Sequence, residues 1–203
     1  ILNLYAGIGG NRKDWGEDHE VVAVEYDEDI AAIYQDLYPN DTVIVADAHK
    51  YLLDVHKQGL YDFIWSSPPW PTHSRINFLL HQKETYVPKY PDMKLYEEII
   101  LLKTFYQGYL VEENVESYYG PLIEPQVSGG HYFWSNIDIP IMETRKKVRN
   151  DKGYTLAKKM EDKGIHIENF YNYKKDKRTL LNNAIEGELG LAILQQVENE
   201  KVK

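Results

Sequence analysis

Apolar and polar positions alternate between two patterns in the first third of the chain. Apolar runs typical of buried strands occupy four stretches, 1–6, 20–26, 41–47 and 61–67. Segments with helical signals lie between them, at 11–18, 27–38 and 48–59, and the last of these ends at Gly59. Strands that alternate with helices favour a parallel sheet with right-handed crossovers, so the pattern predicts an α/β fold.

The rest of the chain continues this arrangement less regularly. A loop rich in Pro, Tyr and His covers 69–91, and an amphipathic helix is predicted over 93–109. Residues 110–115 and 131–139 predict strands, and 178–200 predicts one apolar helix that packs back on the body. We expect three parts: a main α/β domain (1–140), a small basic segment (141–178), and a C-terminal helix that packs back on the main domain (179–203).

Charge supports the separate basic segment. Residues 142–178 hold 12 Lys and Arg against 6 Asp and Glu, whereas the remainder has a net charge of −15 within a total of −9. This asymmetry is compatible with an acidic catalytic body that carries a basic contact surface.

Several classes of function are disfavoured by what the sequence lacks. No run of 18 apolar residues is present, which predicts no membrane span, and no secretion signal is evident, so we expect a cytoplasmic protein. The first residue is Ile rather than Met, so we expect further residues before it. The absence of Cys excludes disulfides and cysteine nucleophiles. The seven His residues show no paired spacing, so no metal site is predicted.

Three predicted strands end in residues that suit a nucleoside cofactor. The glycine turn of Leu4–Gly10 follows the first strand and allows close backbone approach to a ligand. Glu25 ends the second strand, where a carboxylate can accept bonds from ribose hydroxyls, and Tyr26 offers an aromatic face to adenine. Asp47 ends the third strand and suits an adenine amino group. No phosphate-binding Lys follows the glycines, which favours a nucleoside without phosphates over ATP.

The order of these motifs resembles the DNA cytosine-C5 methyltransferase family, which uses S-adenosylmethionine. The resemblance rests on "YAGIGG", on the acids at 25 and 47, on Pro68-Pro69, on Glu113-Asn114-Val115 and on the closing "NNAIEGELGLAI". It implies a Rossmann-like, S-adenosylmethionine-dependent methyltransferase fold. In that fold, residues 1–140 are the cofactor-binding and catalytic domain, and residues 141–178 are a very small basic segment for DNA contact and target recognition. The implied cofactor-binding residues are Tyr5, Ala6, Gly7, Gly9, Gly10, Glu25, Tyr26, Asp47, Ala48 and Asn183.

One residue departs from the C5 family in a way that changes the chemistry. The family carries a cysteine after Pro-Pro, whose thiolate adds to cytosine C6, but this chain has Trp70 there. An indole cannot perform that addition, so covalent C5 methylation is excluded for the chain as written.

Ser67-Pro68-Pro69-Trp70 is instead similar to the motif of amino-group DNA methyltransferases, and its Ser-initiated form is typical of those that methylate cytosine N4. The Ser67 hydroxyl and the Pro68 carbonyl can accept both N4–H bonds, and Pro rings restrict the direction of that carbonyl. Trp70 can stack on a flipped base, which contributes roughly 1–3 kcal/mol.

Other residues are assigned roles by the resemblance. Glu113 is expected to grip the N3/N4 edge of the flipped cytosine and joins the Ser-Pro-Pro-Trp residues as the catalytic set. The resemblance implies DNA contacts at Ser74, Arg75 and His131, and the charge of the basic segment adds Arg145, Lys146, Lys147 and Arg149 as expected DNA contacts.

The leading hypothesis is a DNA cytosine-N4 methyltransferase, bacterial or phage-encoded, for which a cognate restriction endonuclease is a natural partner. The alternative is a C5-type protein whose cysteine has been lost, naturally or by engineering, and which still binds cofactor and DNA. An RNA-modifying relative and adenine-N6 methylation are further alternatives.

Overall fold

A computed structural model describes residues 1–80, 83, 85–144 and 155–202. In these residues the strands are β1 (Leu2–Leu4), β2 (Val22–Glu25), β3 (Thr42–Val45), β4 (Phe63–Ser66), β5 (Tyr109–Val115), β6 (Gln126–Ser128) and β7 (His131–Ser135). The helices are α1 (Glu28–Leu37), α2 (Ala48–Val55), α3 (Ile76–Leu80), α4 (Lys94–Phe105), α5 (Leu156–Lys163), α6 (Arg178–Asn183) and α7 (Gly187–Lys201).

The strands form one sheet in the order β3-β2-β1-β4-β5-β7-β6. Neighbours from β3 to β5 are parallel, and β7 runs antiparallel to both β5 and β6. The predicted fold class is confirmed, because this is a mostly parallel, Rossmann-like sheet with helices on both faces. Strand order reverses between β1 and β4, and ligands of such sheets bind at the carboxyl ends of the strands beside that reversal.

The two faces of the sheet carry different helices because side chains alternate along each strand. Phe63 and Trp65 of β4 pack with Ile193 of α7 on one face. Ile64, between them in sequence, packs on the other face with Leu52 of α2 and Leu102 of α4. Helix α1 lies on the same face of the sheet as α7 but covers the β2 end, where Tyr34 packs on Ala23 of β2.

Residues 11–18, predicted to be a helix, form consecutive turns instead. Arg12 N donates to the Gly9 carbonyl at 3.1 Å and Trp15 N to the Arg12 carbonyl at 3.0 Å, three residues back, whereas an α-helix bonds four residues back. The Arg12 side chain is buried and makes two 2.9 Å bonds to Asp41, and Gly16 has a φ of +77°. Contacts from elsewhere in the chain thus override the local helical pattern.

The predicted closing helix is two helices rather than one. Between α6 and α7, Ala184 and Glu186 adopt extended backbone, and the backbone at Ile185 lies against Gly10 of the glycine turn. A continuous helix could not present that backbone to the turn, so a long-range contact explains the break.

The region after β5 also differs from the prediction. The strand predicted over 131–139 ends at Ser135 and forms a hairpin with β6, which was not predicted. A short helix, α3, lies in the predicted loop of 69–91. Of the expected DNA contacts, Arg145, Lys146, Lys147 and Arg149 lie outside the described residues. No helix in the described part of the chain is long and apolar enough to cross a membrane.

Candidate active site

The glycine turn leaves β1 through an abrupt change of backbone direction. Tyr5 has a φ of +54° and Gly7 a φ of +55°, both in the left-handed region that only Gly adopts readily. Gly7 N donates to Glu25 Oε2 at 2.9 Å, and Asp27 N donates to Glu25 Oε1 at 2.9 Å. Burial raises the pKa of Glu25, while the backbone donors of Asp27 and Gly7 act in the opposite direction. Glu25 therefore holds the turn against the end of β2.

The predicted glycines have different physical roles. A Cβ at Gly9 would lie 2.3 Å from the Tyr38 ring, and one at Gly10 would lie 2.6 Å from the Ile185 carbonyl oxygen. Packing within the protein therefore requires glycine at both positions. A Cβ at Gly7 would meet no heavy atom of the described residues within 4 Å, so the open side of the turn is at Gly7.

The other predicted cofactor residues lie around the same edge of the sheet. Ala6 extends the pairing of β1 by donating to the Val24 carbonyl, and Tyr26 follows β2 with 78% of its surface exposed. Asp47 caps α2 by accepting from Lys50 N at 3.2 Å, and the buried Ala48 is the first residue of that helix. Asn183 ends α6, one residue before Ala184, whose Cβ lies beside Gly10.

These residues fit a nucleoside with a ribose and an adenine. Each oxygen of the Glu25 carboxylate accepts one of the two bonds described above, and a carboxylate oxygen has two lone pairs, so acceptor capacity remains for ribose hydroxyls. The exposed ring of Tyr26 and the carboxylate of Asp47 stand at the ends of the next strands, and the open face of Gly7 admits close approach.

Ser67 and Pro68 follow the last residue of β4 and already accept one hydrogen bond each. Trp65 Nε1 donates to Ser67 Oγ at 2.9 Å, and Asn114 Nδ2 donates to the Pro68 carbonyl at 3.0 Å. Asn114 was expected only as part of the Glu113-Asn114-Val115 motif, and its bond to the Pro68 carbonyl was not predicted. Hydroxyl and carbonyl oxygens have two lone pairs, so each can accept one further bond. The two protein donors help to fix the direction of the remaining acceptor sites.

Glu113 lies on the strand next to this motif. The β4–β5 register pairs Ser66 with Glu112, so continuing it by one residue places Glu113 beside Ser67 on the sheet face that carries Trp65. His131 Nδ1 lies 2.6 Å from Glu113 Oε1. The structure thus brings Glu113 to the Ser-Pro-Pro-Trp motif and places His131, predicted to contact DNA, on the Glu113 carboxyl group.

The segment after Trp70 packs against the residues that follow β5. Trp70, which is partly buried, accepts from the backbone N–H groups of His73 and Ser74. Ser74 forms an isolated bridge with Ser117, and Arg75 Nη2 lies 2.6 Å from Glu116 Oε2 in an exposed ion pair. Burial lowers the pKa of His73, whose Nδ1 lies 2.6 Å from the Tyr119 hydroxyl. Ser74 and Arg75 therefore stand at the same edge of the sheet as the residues predicted to be catalytic.

The space between the glycine turn after β1 and the Ser-Pro-Pro-Trp motif after β4 is called the cleft below. Sequence reasoning missed two buried acids beneath it, Glu98 and Glu112. Glu98 lies on α4 and is 1% exposed, and Glu112 lies on β5 and has no exposed surface. A signal existed, because Glu98 occupies a core-facing position of α4 between Leu95 and Leu102, where an apolar residue is the norm. No group of three or more His, Asp or Glu arranged to hold a metal ion occurs among the described residues.

Comparison with known proteins adds partial structural matches. No family model and no curated protein matches the chain. A mutant of Spodoptera frugiperda DNMT2 is similar at 26% identity and a TM-score of 0.40, over 57% of this chain and 35% of that chain.

Two further solved structures match over a similar extent. The S. pombe Dnmt2 methyltransferase has 17% identity and a TM-score of 0.36, over 56% of this chain and 33% of that one. An Escherichia coli prophage protein described as a DNA modification methyltransferase has 18% identity and a TM-score of 0.38, over 59% and 32%. The matched part is about a third of each of these three chains, and the activity of this chain is argued below from its own residues.

Proposed function

We propose that this chain transfers the methyl group of S-adenosylmethionine to the exocyclic N4 of a cytosine in DNA, without a covalent enzyme intermediate. The observation that carries the proposal is the position of Ser67-Pro68-Pro69-Trp70. The motif follows β4 at the reversal of strand order, with the glycine turn after β1 on one side and Glu113 of β5 on the other.

The cofactor's expected ligands are the open turn at Gly7, the Glu25 carboxylate, Tyr26 and Asp47. The cofactor would supply an electrophilic methyl group on sulfur. As N4 forms its bond to the methyl carbon, the carbon–sulfur bond would break to leave S-adenosylhomocysteine, and N4 would release one proton to solvent. The chain therefore mainly has to position the two reactants and orient the amine.

The acceptor side suits an amine that must be directed. The lone pair of a cytosine amino group is delocalised into the ring. Hydrogen bonds from the two N4–H groups to two fixed acceptors would direct this lone pair out of the plane of the base, toward the methyl group. Ser67 Oγ and the Pro68 carbonyl supply those acceptors, and their bonds from Trp65 and Asn114 hold them in place. The ring of Trp70 provides a stacking surface for a flipped base, and Glu113 provides the polar contact to the N3/N4 edge.

The DNA side of the proposal includes Ser74 and Arg75 at the mouth of the cleft, together with Arg145, Lys146, Lys147 and Arg149 of the basic segment. A basic patch of this kind contacts phosphates without reading sequence. A cognate restriction endonuclease remains a prediction of the sequence resemblance.

The test is nucleoside analysis of DNA that has been incubated with the protein and S-adenosylmethionine. N4-methylcytosine is expected by mass spectrometry, and its yield is expected to fall in Ser67→Ala. Detection of C5-methylcytosine alone would contradict the proposal.

The second candidate, a C5-type protein without its nucleophile, is favoured by the Glu113-Asn114-Val115 motif, and Trp70→Cys separates the two. If Trp70→Cys forms C5-methylcytosine while the unaltered protein modifies nothing, the second candidate is correct.

A further inference from the structure

The buried carboxyl group of Glu98 contacts three polar side chains beneath the cleft. The Tyr5 hydroxyl donates to Glu98 Oε1 at 2.5 Å, and His49 Nδ1 lies 2.7 Å from the same oxygen. The Ser66 hydroxyl donates to Glu98 Oε2 at 2.9 Å. Because Tyr5 follows β1 and Ser66 ends β4, one carboxyl group on α4 connects the two strands between which the order of the sheet reverses.

The hydrogen bond between Tyr5 and Glu98 holds the start of the glycine turn in place. An aromatic residue with a φ of +54° is in a strained conformation that persists only where surrounding contacts enforce it. The Tyr5 ring packs against the core face that carries α2 and α4, and its hydroxyl ends on Glu98. Gly7, two residues later, is held by Glu25. The turn is therefore attached to β2 through Glu25 and to α4 through Glu98.

The hydrogen bond between Ser66 and Glu98 holds the end of β4, on the other side of the cleft. Ser66 immediately precedes Ser67, so a bond at its hydroxyl fixes the strand end from which the Ser-Pro-Pro-Trp motif projects. Packing alone does not require an acid at this position, since Leu95, Ile99 and Leu102 of the same helix fill the neighbouring core. A buried carboxylate is retained more readily when polar partners satisfy it, and here the partners are the two halves of the cleft.

We propose that Glu98 is a positioning residue that sets the glycine turn relative to the Ser-Pro-Pro-Trp motif, through Tyr5 and Ser66. This role rests on the proposed function and deepens it, because it names the residue that aligns the methyl-donor side with the acceptor side. Glu98 itself lies beneath both sides and acts only through the residues that it holds.

The test is calorimetric titration of purified variants with S-adenosylhomocysteine, accompanied by thermal unfolding of each. Glu98→Gln keeps the shape of the side chain but replaces one acceptor oxygen by an amide that donates, so it cannot accept from both Tyr5 and Ser66. We expect its Kd to rise at least tenfold. The matched control is Glu97→Gln, one residue earlier on α4. Its carboxylate is 63% exposed and lies 3.5 Å from His49 Nε2, whereas the bonds from Tyr5 and Ser66 go to Glu98, so the Kd should stay within twofold.

Two variants test the role without removing the buried acid, in case Glu98→Gln does not fold. Tyr5→Phe and Ser66→Ala each remove one hydroxyl, and each is expected to raise the Kd about threefold. In folded protein, Glu98→Gln should cause a smaller further loss in the Tyr5→Phe background than in the unaltered protein. A purely structural role would lower the unfolding temperature and leave the Kd of folded protein unchanged.

The outcomes separate this inference from the proposed function. Equal affinity in the Glu98→Gln and Glu97→Gln proteins would overturn the role of Glu98, and so would unchanged affinity in both Tyr5→Phe and Ser66→Ala. Failure of the unaltered protein to bind S-adenosylhomocysteine would instead overturn the proposed function itself.

Discussion

Glu112 and Glu113 are consecutive residues of β5 whose carboxyl groups lie on opposite faces of the sheet. Glu112 pairs in register with Trp134, on the face covered by α4, and its fully buried carboxyl group lies beside Ser66 and Glu98. Burial, together with the nearby charge of Glu98, raises the pKa of Glu112 well above its ordinary value. Glu113 pairs in register with Phe133 on the other face, and its carboxyl group contacts His131.

The difference shows that position, rather than residue type, decides whether an acid lies on the face of the Ser-Pro-Pro-Trp motif or is buried on the opposite face. Strand alternation allows only one of two adjacent acids to face the Ser67 side of the sheet. Each prediction below therefore compares a substitution at the cleft with a similar substitution of a residue away from it.

The largest effect is expected from Glu113→Gln, with Glu112→Gln as its control. Under the proposed function, the Glu113 carboxyl group contacts the base, so its loss should lower the rate of N4-methylcytosine formation on the order of 100-fold. Glu112→Gln should keep the rate within about threefold, because Gln resembles the protonated acid that burial favours. Quantitative nucleoside mass spectrometry measures both rates. A greater loss in Glu112→Gln than in Glu113→Gln would reverse the assignment of the two acids.

The second effect concerns stability and its dependence on pH. Because the folded protein raises the pKa of Glu112, folding favours its protonated form. The stability that this proton contributes is complete below the ordinary pKa and is lost as pH rises toward the folded-state pKa, by up to about 1.4 kcal/mol per pH unit.

Urea unfolding between pH 4 and pH 8 measures this dependence. The unaltered protein should lose unfolding free energy relative to Glu112→Gln as pH rises. A difference between the two proteins that does not change over this range would show that Glu112 takes up no proton on folding.

The third effect is expected at Asn114, which donates to the Pro68 carbonyl. Asn114→Ala releases that carbonyl and should lower kcat about tenfold while leaving cofactor Kd unchanged, because the turn after β1 is untouched. The matched control is Asn77→Ala, which removes an exposed 2.7 Å bond from Asn77 Nδ2 to the Pro71 carbonyl. Steady-state kinetics with a cytosine-containing duplex measure kcat for each. Equal losses of kcat in the two variants would show that the bond to the Pro68 carbonyl has no particular importance for the reaction.

The smallest effect is expected at Arg75. Arg75→Ala should lower DNA affinity and reduce the slope of log affinity against log salt by about 1, as expected for one lost phosphate contact. Its exposed ion pair with Glu116 contributes at most about 1 kcal/mol to stability. Lys201→Ala is the control, since Lys201 pairs with Asp62 just before β4 begins, at the opposite edge of the sheet. Fluorescence anisotropy over a salt series distinguishes the two, and equal slopes would argue against a phosphate contact at Arg75.

Much of the fold could be predicted from local patterns. The alternation of apolar strands with helices predicted the parallel sheet, and the element order placed the glycine turn, Glu25 and Ser67 at strand ends that meet at one edge. Asp27 and Asp47 cap α1 and α2 as acids at helix starts do. These features depend on residues close in sequence, so a single sequence carries the information.

Only the tertiary structure decided which distant residues meet. Residues 11–18 are held in turns by contacts such as Arg12 with Asp41, and the closing helix breaks where Ile185 reaches Gly10. The bonds from Asn114 to Pro68 and from Ser66 to Glu98 likewise join separate elements. The physical reason is that periodicity assigns a residue to a face, whereas strand order and register decide what lies opposite. The sequence by itself therefore determined the parallel sheet and which strand ends carry the candidate site residues, and packing between distant segments decided which side chains lie opposite one another.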